Sequence, residues 1–155
     1  LKIAAMLHDI GKIAIPDHIL LKPDELTVEE YDVIKTHCTI GDDILTPIAL
    51  FEKERKIIRH HHENWDGSGY PDGLAGEAIP PLSRLIAVAD AYDAMTTDRP
   101  YRMSMSHDEA VTELRRNGGG QFDPQVVDAF IGTFRKSETV AFPTLACPAQ
   151  KQHRD

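Results

Sequence analysis

The stretch LSRLIAVADAYDAMTTD, residues 82–98, carries the strongest helical pattern in the chain and decides its fold class. Its apolar residues recur every three or four positions and form one broad face, as in a helix packed against a core. Asp90 and Asp93 lie near this face. A carboxylate inside a run of small apolar residues is costly to bury unless it is paired or bound to a metal ion. Asp90 is therefore the first candidate site residue.

Helical signals surround this stretch on both sides, and no segment alternates as a strand would. Residues 1–11 predict a buried helix that ends near Gly11 as its C-cap. Apolar residues at helical spacing predict further helices from residue 28 and over 51–64. The sequence thus predicts an all-α fold, with one domain over residues 1–136 and a loosely ordered tail over 137–155. Helix starts are marked by two capping boxes and an Asp–Pro pair: Thr27 with Glu30, Ser106 with Glu109, and Asp123 with Pro124.

Composition limits the classes of function. The 155 residues carry a net charge of −8, with a sequence pI near 5.4. An acidic chain is a poor general nucleic-acid binder, so we expect no DNA partner. The longest apolar runs are too short to cross a bilayer, which predicts no membrane contact by this segment. Two cysteines without a CxxC pair suit a reducing compartment, so we predict a cytoplasmic location.

Six histidine and aspartate residues on otherwise apolar helical faces suggest a metal centre. Imidazole and carboxylate groups without thiolates are typical of hydrolytic metal sites rather than structural zinc sites. Asp9 is a candidate bridge between two ions because it adjoins another candidate ligand. The candidates are His8, Asp9, His37, His61, His62 and Asp90.

Each of these residues also has a simpler interpretation. A histidine at a helix end, such as His8, is more often a cap than a ligand, and His37 alone would be a half-buried histidine. We prefer the metal centre because five independent coincidences would otherwise be needed. His60 is interpreted as a solvent-side or supporting residue, and Cys38 as a small buried thiol whose side chain diverges from that of its neighbour. We interpret His18, His107 and His153 as surface residues.

The segment DGSGYPDGLAGEAIPP, residues 66–81, is predicted to be a loop. Its glycines permit positive φ angles, which a sharp turn away from the histidines requires. Tyr70 and Pro71 are expected to stiffen the tip of the loop beside the site. Glu63, directly before the loop, is a candidate supporting residue that would orient a histidine ligand.

Several long motifs resemble those of one family. They are HDIGK at 8–12, KPDELTVEE at 22–30, HCTIG at 37–41, HHENWDGSGYPDGLAGEAIP at 61–80, RLIAVADAYDAMTTDRPYR at 84–102 and GGGQFDPQVVDAF at 118–130. With these motifs the chain resembles an HD-GYP domain, a branch of the HD phosphohydrolase superfamily, from residue 1 to about residue 135. The resemblance implies an all-helical bundle with a GYP loop between helices.

The resemblance also implies a bacterial signalling enzyme. Members hydrolyse the second messenger cyclic di-GMP to linear pGpG and, in some cases, on to GMP. They use two or three divalent metal ions, often iron, with manganese also found. The metal ligands would be the six residues named above, with Asp9 bridging two ions. Asp9 and Lys12 would act in catalysis. Substrate would contact Lys12, Gly69, Tyr70, Pro71, Asp93, Arg99 and Arg102.

In this family a further histidine ligand lies on a helix that precedes the HD pair. Residue 1 follows the position of that helix, so we expect a fragment that exposes apolar surface and is not fully active alone. The resemblance implies an upstream sensory or receiver domain, as in two-component response regulators, and diguanylate cyclases as further partners. Two alternatives stay open at this point: a cyclic di-GMP-binding module without turnover, and another HD-superfamily nucleotide phosphohydrolase.

Overall fold

A computed structural model describes residues 1–98 and 103–137, with side chains up to Phe134. This part of the chain holds eight α-helices and no strand, so the all-α prediction is confirmed. The helices are α1 (Lys2–Leu7), α2 (Asp17–Leu20), α3 (Val28–Lys35), α4 (His37–Leu45), α5 (Glu52–Arg59), α6 (Pro81–Thr96), α7 (His107–Arg116) and α8 (Pro124–Ser137). Short 3₁₀ helices span Ile10–Ala14, Ala49–Phe51 and Gly76–Ala78. No helix in the described ranges is long and apolar enough to cross a membrane.

Helix α6 is the central element of the fold. Val88 and Met95 on α6 join a core cluster with buried residues of α7 and α8, including Leu114 and Val127. Ile86, on the same helix, packs in a second cluster with residues of α1 and α5. One apolar helix thus serves both clusters, as the broad apolar face of residues 82–98 predicts.

Short-range capping signals placed several helix starts correctly. Thr27 and Glu30 form the predicted capping box of α3, and the Ser106–Glu109 box caps α7. Helix α8 starts at Pro124, and the Asp123 carboxylate accepts the backbone N–H of Gln125. The predicted tail falls almost entirely on residues 138–155, which lie outside the described residues.

Gly11 has a different role from the predicted one. Helix α1 ends at Leu7, before Gly11, and Gly11 is not among the glycines with positive φ. A Cβ at Gly11 would lie 1.9 Å from the carbonyl oxygen of His37 and 2.7 Å from the backbone nitrogen of Gly41. The C-cap prediction was therefore wrong, because this glycine is needed for close packing of the 10–14 turn on α4.

Two other boundaries differ from the sequence pattern. The apolar pattern from Val28 to Leu45 is divided at Thr36 into α3 and α4, and Val28 at its start is 75% exposed. The predicted helix over 51–64 ends at Arg59, and residues 60–62 form a turn. This early end frees two consecutive histidine side chains to point toward one site, which a continuing helix would not allow.

The loop after this turn is built on its glycines, as predicted. Gly67, Gly73 and Gly76 have φ angles of 85°, 68° and 56°. Gly69 acts differently, because a Cβ there would lie 2.2 Å from the backbone nitrogen of Asn64. The Tyr70–Pro71 peptide bond is cis. Gly69 lets the loop lie close against the histidine turn, where the Tyr70 N–H donates to His62 O at 3.2 Å.

Candidate metal centre

The six predicted ligands converge from four separate parts of the chain. His8 and Asp9 follow α1, His37 opens α4, His61 and His62 follow α5, and Asp90 lies in α6. Two sets of ligand atoms, each within 4.8 Å of one another, share His61: one holds His37, Cys38, His61 and His62, the other His8, Asp9 and His61. Two overlapping sets are the arrangement expected of a centre with more than one ion.

Three of the histidines are oriented by the carbonyl oxygen three residues earlier. His8 Nδ1 lies 2.8 Å from Ala5 O, and His37 Nδ1 lies 2.6 Å from Ile34 O. His61 Nδ1 lies 2.5 Å from Ile58 O. A carbonyl oxygen only accepts, so each Nδ1 carries the hydrogen and each Nε2 presents a lone pair to the centre. This is how proteins fix metal-binding imidazoles.

Asp9 lies between two of these imidazoles. Its Oδ1 is 3.5 Å from His37 Nε2, and its Oδ2 is 3.4 Å from His8 Nε2. Asp90 Oδ1 lies 3.7 Å from the same His8 atom. Two oxygens of one carboxylate facing two different nitrogens is the geometry that a bridging ligand needs.

Unpaired buried atoms show that a cation fits this site. His8 Nε2 and Asp9 Oδ1 are buried and have no hydrogen-bond partner. His37 Nε2 and His61 Nε2 face each other at 3.4 Å, although both are acceptors when Nδ1 carries the hydrogen. Buried acceptors without donors are unfavourable, and bound metal ions would satisfy such atoms.

Electrostatics keep the ligand groups in the forms that bind metals. Burial lowers the pKa of His61 to about 3 and that of His62 to about 4, so both rings are neutral at pH 7. Burial opposes ionisation of Asp9, but the Lys12 ammonium outweighs it and lowers the pKa of that carboxyl. The His8 ring, whose Nε2 lies 3.7 Å from Asp90 Oδ1, lowers the pKa of Asp90.

A cavity of about 610 Å³ opens onto this cluster. Lys12 lines it and donates to Asp9 Oδ2 at 2.6 Å, so the predicted phosphate-binding lysine stands beside the ligands. Gly69 and Tyr70 also line it, and the Tyr70 ring stacks on His62 with 5.0 Å between ring centres. The predicted wall formed by the GYP loop is therefore present.

Not every predicted substrate residue reaches the cavity. Asp93 is exposed, and its carboxylate accepts a hydrogen bond from Thr97 at 3.5 Å on the outer side of α6. Pro71 is half-buried behind Tyr70 and is not among the lining residues. Arg99 and Arg102 lie outside the described residues.

Glu63 holds the loop rather than a metal-binding histidine. Its buried carboxylate accepts the backbone N–H groups of Asp72 at 2.8 Å and Leu74 at 3.0 Å. The histidine beside it is His60, whose Nδ1 lies 3.6 Å from Glu63 and 3.5 Å from Asp72. The prediction that Glu63 orients a ligand histidine was wrong, because its carboxylate lies against the loop amides and His60. His60 is mostly buried and is therefore not a solvent-side residue.

Cys38 lies closer to the centre than the sequence predicted. It is a buried thiol, as expected, but its Sγ is 3.5 Å from His37 Nε2 and 4.0 Å from His61 Nδ1. The prediction that these two neighbouring side chains diverge was therefore wrong. Burial raises the pKa of Cys38 to about 12, so the thiol stays neutral and is a poor nucleophile.

The sequence also missed half of the residues that line the cavity. Lys35 and Ile34 lie two and three residues before His37, and that closeness was an available signal. Gln121 lies in the GGGQFDPQVVDAF motif at 118–130, whose resemblance to the family was the available signal, although its residue types do not point to a metal centre. The missed lining residues are Tyr31, Ile34, Lys35, Asn64, Ser68, Ala94 and Gln121.

Comparisons of this chain with known proteins find relatives that share its sequence over most of its length. Residues 1–126 match the family model described as HD domain. The chain is 48% identical over 135 residues to a cyclic di-GMP phosphodiesterase of Thermotoga maritima, covering 84% of this chain and 36% of the relative. It is 47% identical over 133 residues to the cyclic di-GMP phosphodiesterase response regulator RpfG of Xanthomonas campestris, covering 84% of this chain and 35% of that protein.

Two further similarities bear on substrate and fold. A 3'3'-cGAMP-specific phosphodiesterase of Vibrio cholerae is 38% identical over 133 residues, covering 84% of this chain and 26% of the relative. The solved structure of an HDG"Y"P protein from Bdellovibrio bacteriovorus superposes with a TM-score of 0.66 at 25% identity, covering 85% of this chain and 42% of that one. The chain spans about a third of the length of the curated relatives it matches.

Proposed function

Because the chain belongs to the HD domain family, in its HD-GYP branch, we propose that it is a metal-dependent phosphodiesterase that hydrolyses cyclic di-GMP. The observation that carries the proposal is the paired cluster of ligand atoms that share His61, with three imidazoles oriented through their Nδ1 atoms. The ligands would be His8, Asp9, His37, His61, His62 and Asp90, with Asp9 as the bridge. Two or three divalent ions, iron or manganese, would occupy the centre.

The residues suit the needs of diester hydrolysis. A phosphodiester is an anion that repels hydroxide, and water alone is a weak nucleophile. Bound divalent ions would lower the pKa of a water from 15.7 toward neutrality and offset the charge of the phosphate. Lys12 adds a cation at the mouth of the centre, where it would hold a non-bridging phosphate oxygen. Tyr70, stacked on His62, forms one side of the cavity.

Finer features of the function are part of the same proposal. The product would be linear pGpG, with further cleavage to GMP in the full-length protein. Gly69, Tyr70, Arg99 and Arg102 would contribute to substrate binding, whereas Asp93 and Pro71, which do not line the cavity, would not contact the substrate directly. The protein would act in the cytoplasm behind an upstream sensory or receiver domain, for which the response-regulator relative is a precedent. Diguanylate cyclases would be its functional partners.

A second candidate substrate is 3'3'-cGAMP, which the 38%-identical relative is named for. Cyclic di-GMP is preferred because relatives named for it reach 47–48% identity. A binding module without turnover is less favoured, since a protein that only binds the dinucleotide has no need for six converging ligands.

The direct test is hydrolysis by the full-length protein that contains this chain. It would be loaded with iron or manganese without oxygen, its metal content measured, and product formation from cyclic di-GMP and 3'3'-cGAMP followed by chromatography. We expect cleavage of cyclic di-GMP, loss of activity in Asp9→Asn, and normal activity in the control His18→Asn, whose side chain is exposed. Bound metal with no turnover of either dinucleotide would contradict the proposal.

A further inference from the structure

We propose that Tyr31 and Lys35 on α3 form a second subsite, which binds the half of a cyclic dinucleotide that is not being cleaved. The inference rests on the proposed function and extends it to residues that the metal centre does not use. Both residues line the 610 Å³ cavity that opens onto the metal ligands. A cavity of this size takes a ligand much larger than one phosphate group.

Contacts between aromatic side chains connect this subsite to the metal centre. Tyr70 stacks on the metal-site residue His62 with ring centres 5.0 Å apart, and Tyr31 meets Tyr70 edge-on at 6.3 Å. Tyr31 and Lys35 lie one helical turn apart, and Lys35 Nζ is 5.3 Å from the centre of the Tyr31 ring. Tyr31 and Lys35 thus form a wall of the cavity on α3, and this wall contacts the GYP loop at Tyr70.

Charge on this wall matches the second phosphate of the substrate. A cyclic dinucleotide has two phosphodiester groups, and only one can lie on the metal ions at a time. Lys12 donates a hydrogen bond to Asp9, one of the proposed metal ligands, whereas Lys35 lines the same cavity from α3. Lys35 pairs with Asp32, a neighbour at i−3 whose side chain is 60% exposed. Such surface pairs are weak, so a phosphate can displace the Asp32 carboxylate at little cost.

The Tyr31 ring suits a nucleobase. It is 47% exposed although it lines the cavity, so its surface is available to a ligand. Nucleobases stack readily on aromatic side chains, and stacking tolerates any base. The subsite would thus recognise a cyclic dinucleotide as a class, through one base and the second phosphate, without selecting guanine.

The test is calorimetric binding of a hydrolysis-resistant phosphorothioate analogue of cyclic di-GMP to the manganese-loaded full-length protein. We expect Lys35→Met and Tyr31→Leu each to raise Kd about tenfold. Two matched controls should stay within about twofold: Tyr31→Phe, which keeps the ring, and Lys53→Met, which removes an exposed lysine outside the cavity. Equal affinities of Lys35→Met and Lys53→Met, or no binding by the unchanged protein, would overturn the subsite.

A second measurement separates this subsite from the scissile phosphate. Bis(p-nitrophenyl) phosphate has a single phosphodiester and no nucleobase, so kcat/KM for it should be unchanged in Lys35→Met. An equal loss with this substrate and with cyclic di-GMP would place Lys35 at the reacting phosphate and overturn the inference. If the analogue binds with the expected pattern of variants but cyclic di-GMP is not cleaved, the subsite stands and the proposed catalytic function fails.

Discussion

At the scale of single residues, the site depends on how each imidazole is turned. Backbone carbonyls of Ala5, Ile34 and Ile58 fix the Nδ1 hydrogens, so the Nε2 lone pairs point inward before any ion arrives. A ligand set oriented in advance loses little side-chain entropy when it binds. Asp90 completes the group from α6 and is the carboxylate whose position the helical pattern predicted.

Replacing Asp90 by Asn should weaken manganese binding by at least about tenfold, because it removes a charged ligand candidate beside His8. The matched control is Asp93→Asn, which changes an exposed carboxylate less than one turn away on the same helix. It should retain its manganese affinity. Calorimetric titration of both variants checks this, and equal losses in the two would show that Asp90 has no special role.

The buried histidines also predict how the metal-free protein responds to pH. The folded-state pKa of His61 is about 3 and that of His62 about 4, whereas both lie near 6.5 in the unfolded chain. Below about pH 6.5 the unfolded chain binds protons that the folded state does not, so stability is highest above that pH and falls on acidification. Each group contributes roughly 1.4 kcal/mol per pH unit in this window.

The measurement is urea unfolding with a chelator present, from pH 7 to pH 4.5. The free energy of unfolding should fall less steeply in His61→Asn than in the unmodified protein. His8, whose pKa is raised by the nearby Asp90 carboxylate, acts in the opposite direction and is common to both proteins. His18→Asn should show the unmodified slope. Identical slopes for all three proteins would refute this account of the buried rings.

At the scale of elements, the contact between the 10–14 turn and α4 sets the position of Asp9 against His37. Gly11 permits this contact, since any side chain there would meet the backbone of His37 and Gly41. Backbone atoms cannot move aside as a flexible side chain can, so the elements would have to separate.

Replacing Gly11 by Ala should therefore destabilise the protein by about 3 kcal/mol and weaken metal binding. Gly132→Ala is the matched control, because a Cβ at that helical position meets nothing within 4 Å. It should stabilise the protein by roughly 0.5–1 kcal/mol through its effect on helix propensity. Urea unfolding measures both. A Gly11→Ala protein of unchanged stability would contradict the described packing.

Local signals in the sequence predicted local structure well. The boxes at Thr27 and Ser106 fixed two helix starts because a cap depends on residues three positions apart. The division at Thr36, the packing role of Gly11 and the contact of Cys38 with the ligands depend on elements far apart in sequence. Periodicity contains no information about such contacts, so these features appeared only in three dimensions.

At the scale of the whole molecule, the centre lies where separately packed parts of the chain meet. Helix α6 contributes Ile86 to the cluster with α1 and α5, and Val88 to the cluster with α7 and α8. Asp90, four residues after Ile86, reaches the ligands from that shared helix. The ligand types could be read from the sequence, because histidine and aspartate on apolar faces are unusual. The cavity wall could not, since Gln121 and Tyr31 reach it only through the fold.

The most direct test of the central claim is the number of manganese ions bound per chain in solution, measured by mass spectrometry under native conditions together with calorimetry. The account predicts at least two ions for the unmodified protein. It also predicts loss of more than one ion in His61→Asn, because both sets of ligand atoms share His61. A protein that binds one ion or none, or a His61→Asn variant that retains the full number, would contradict the two-ion centre.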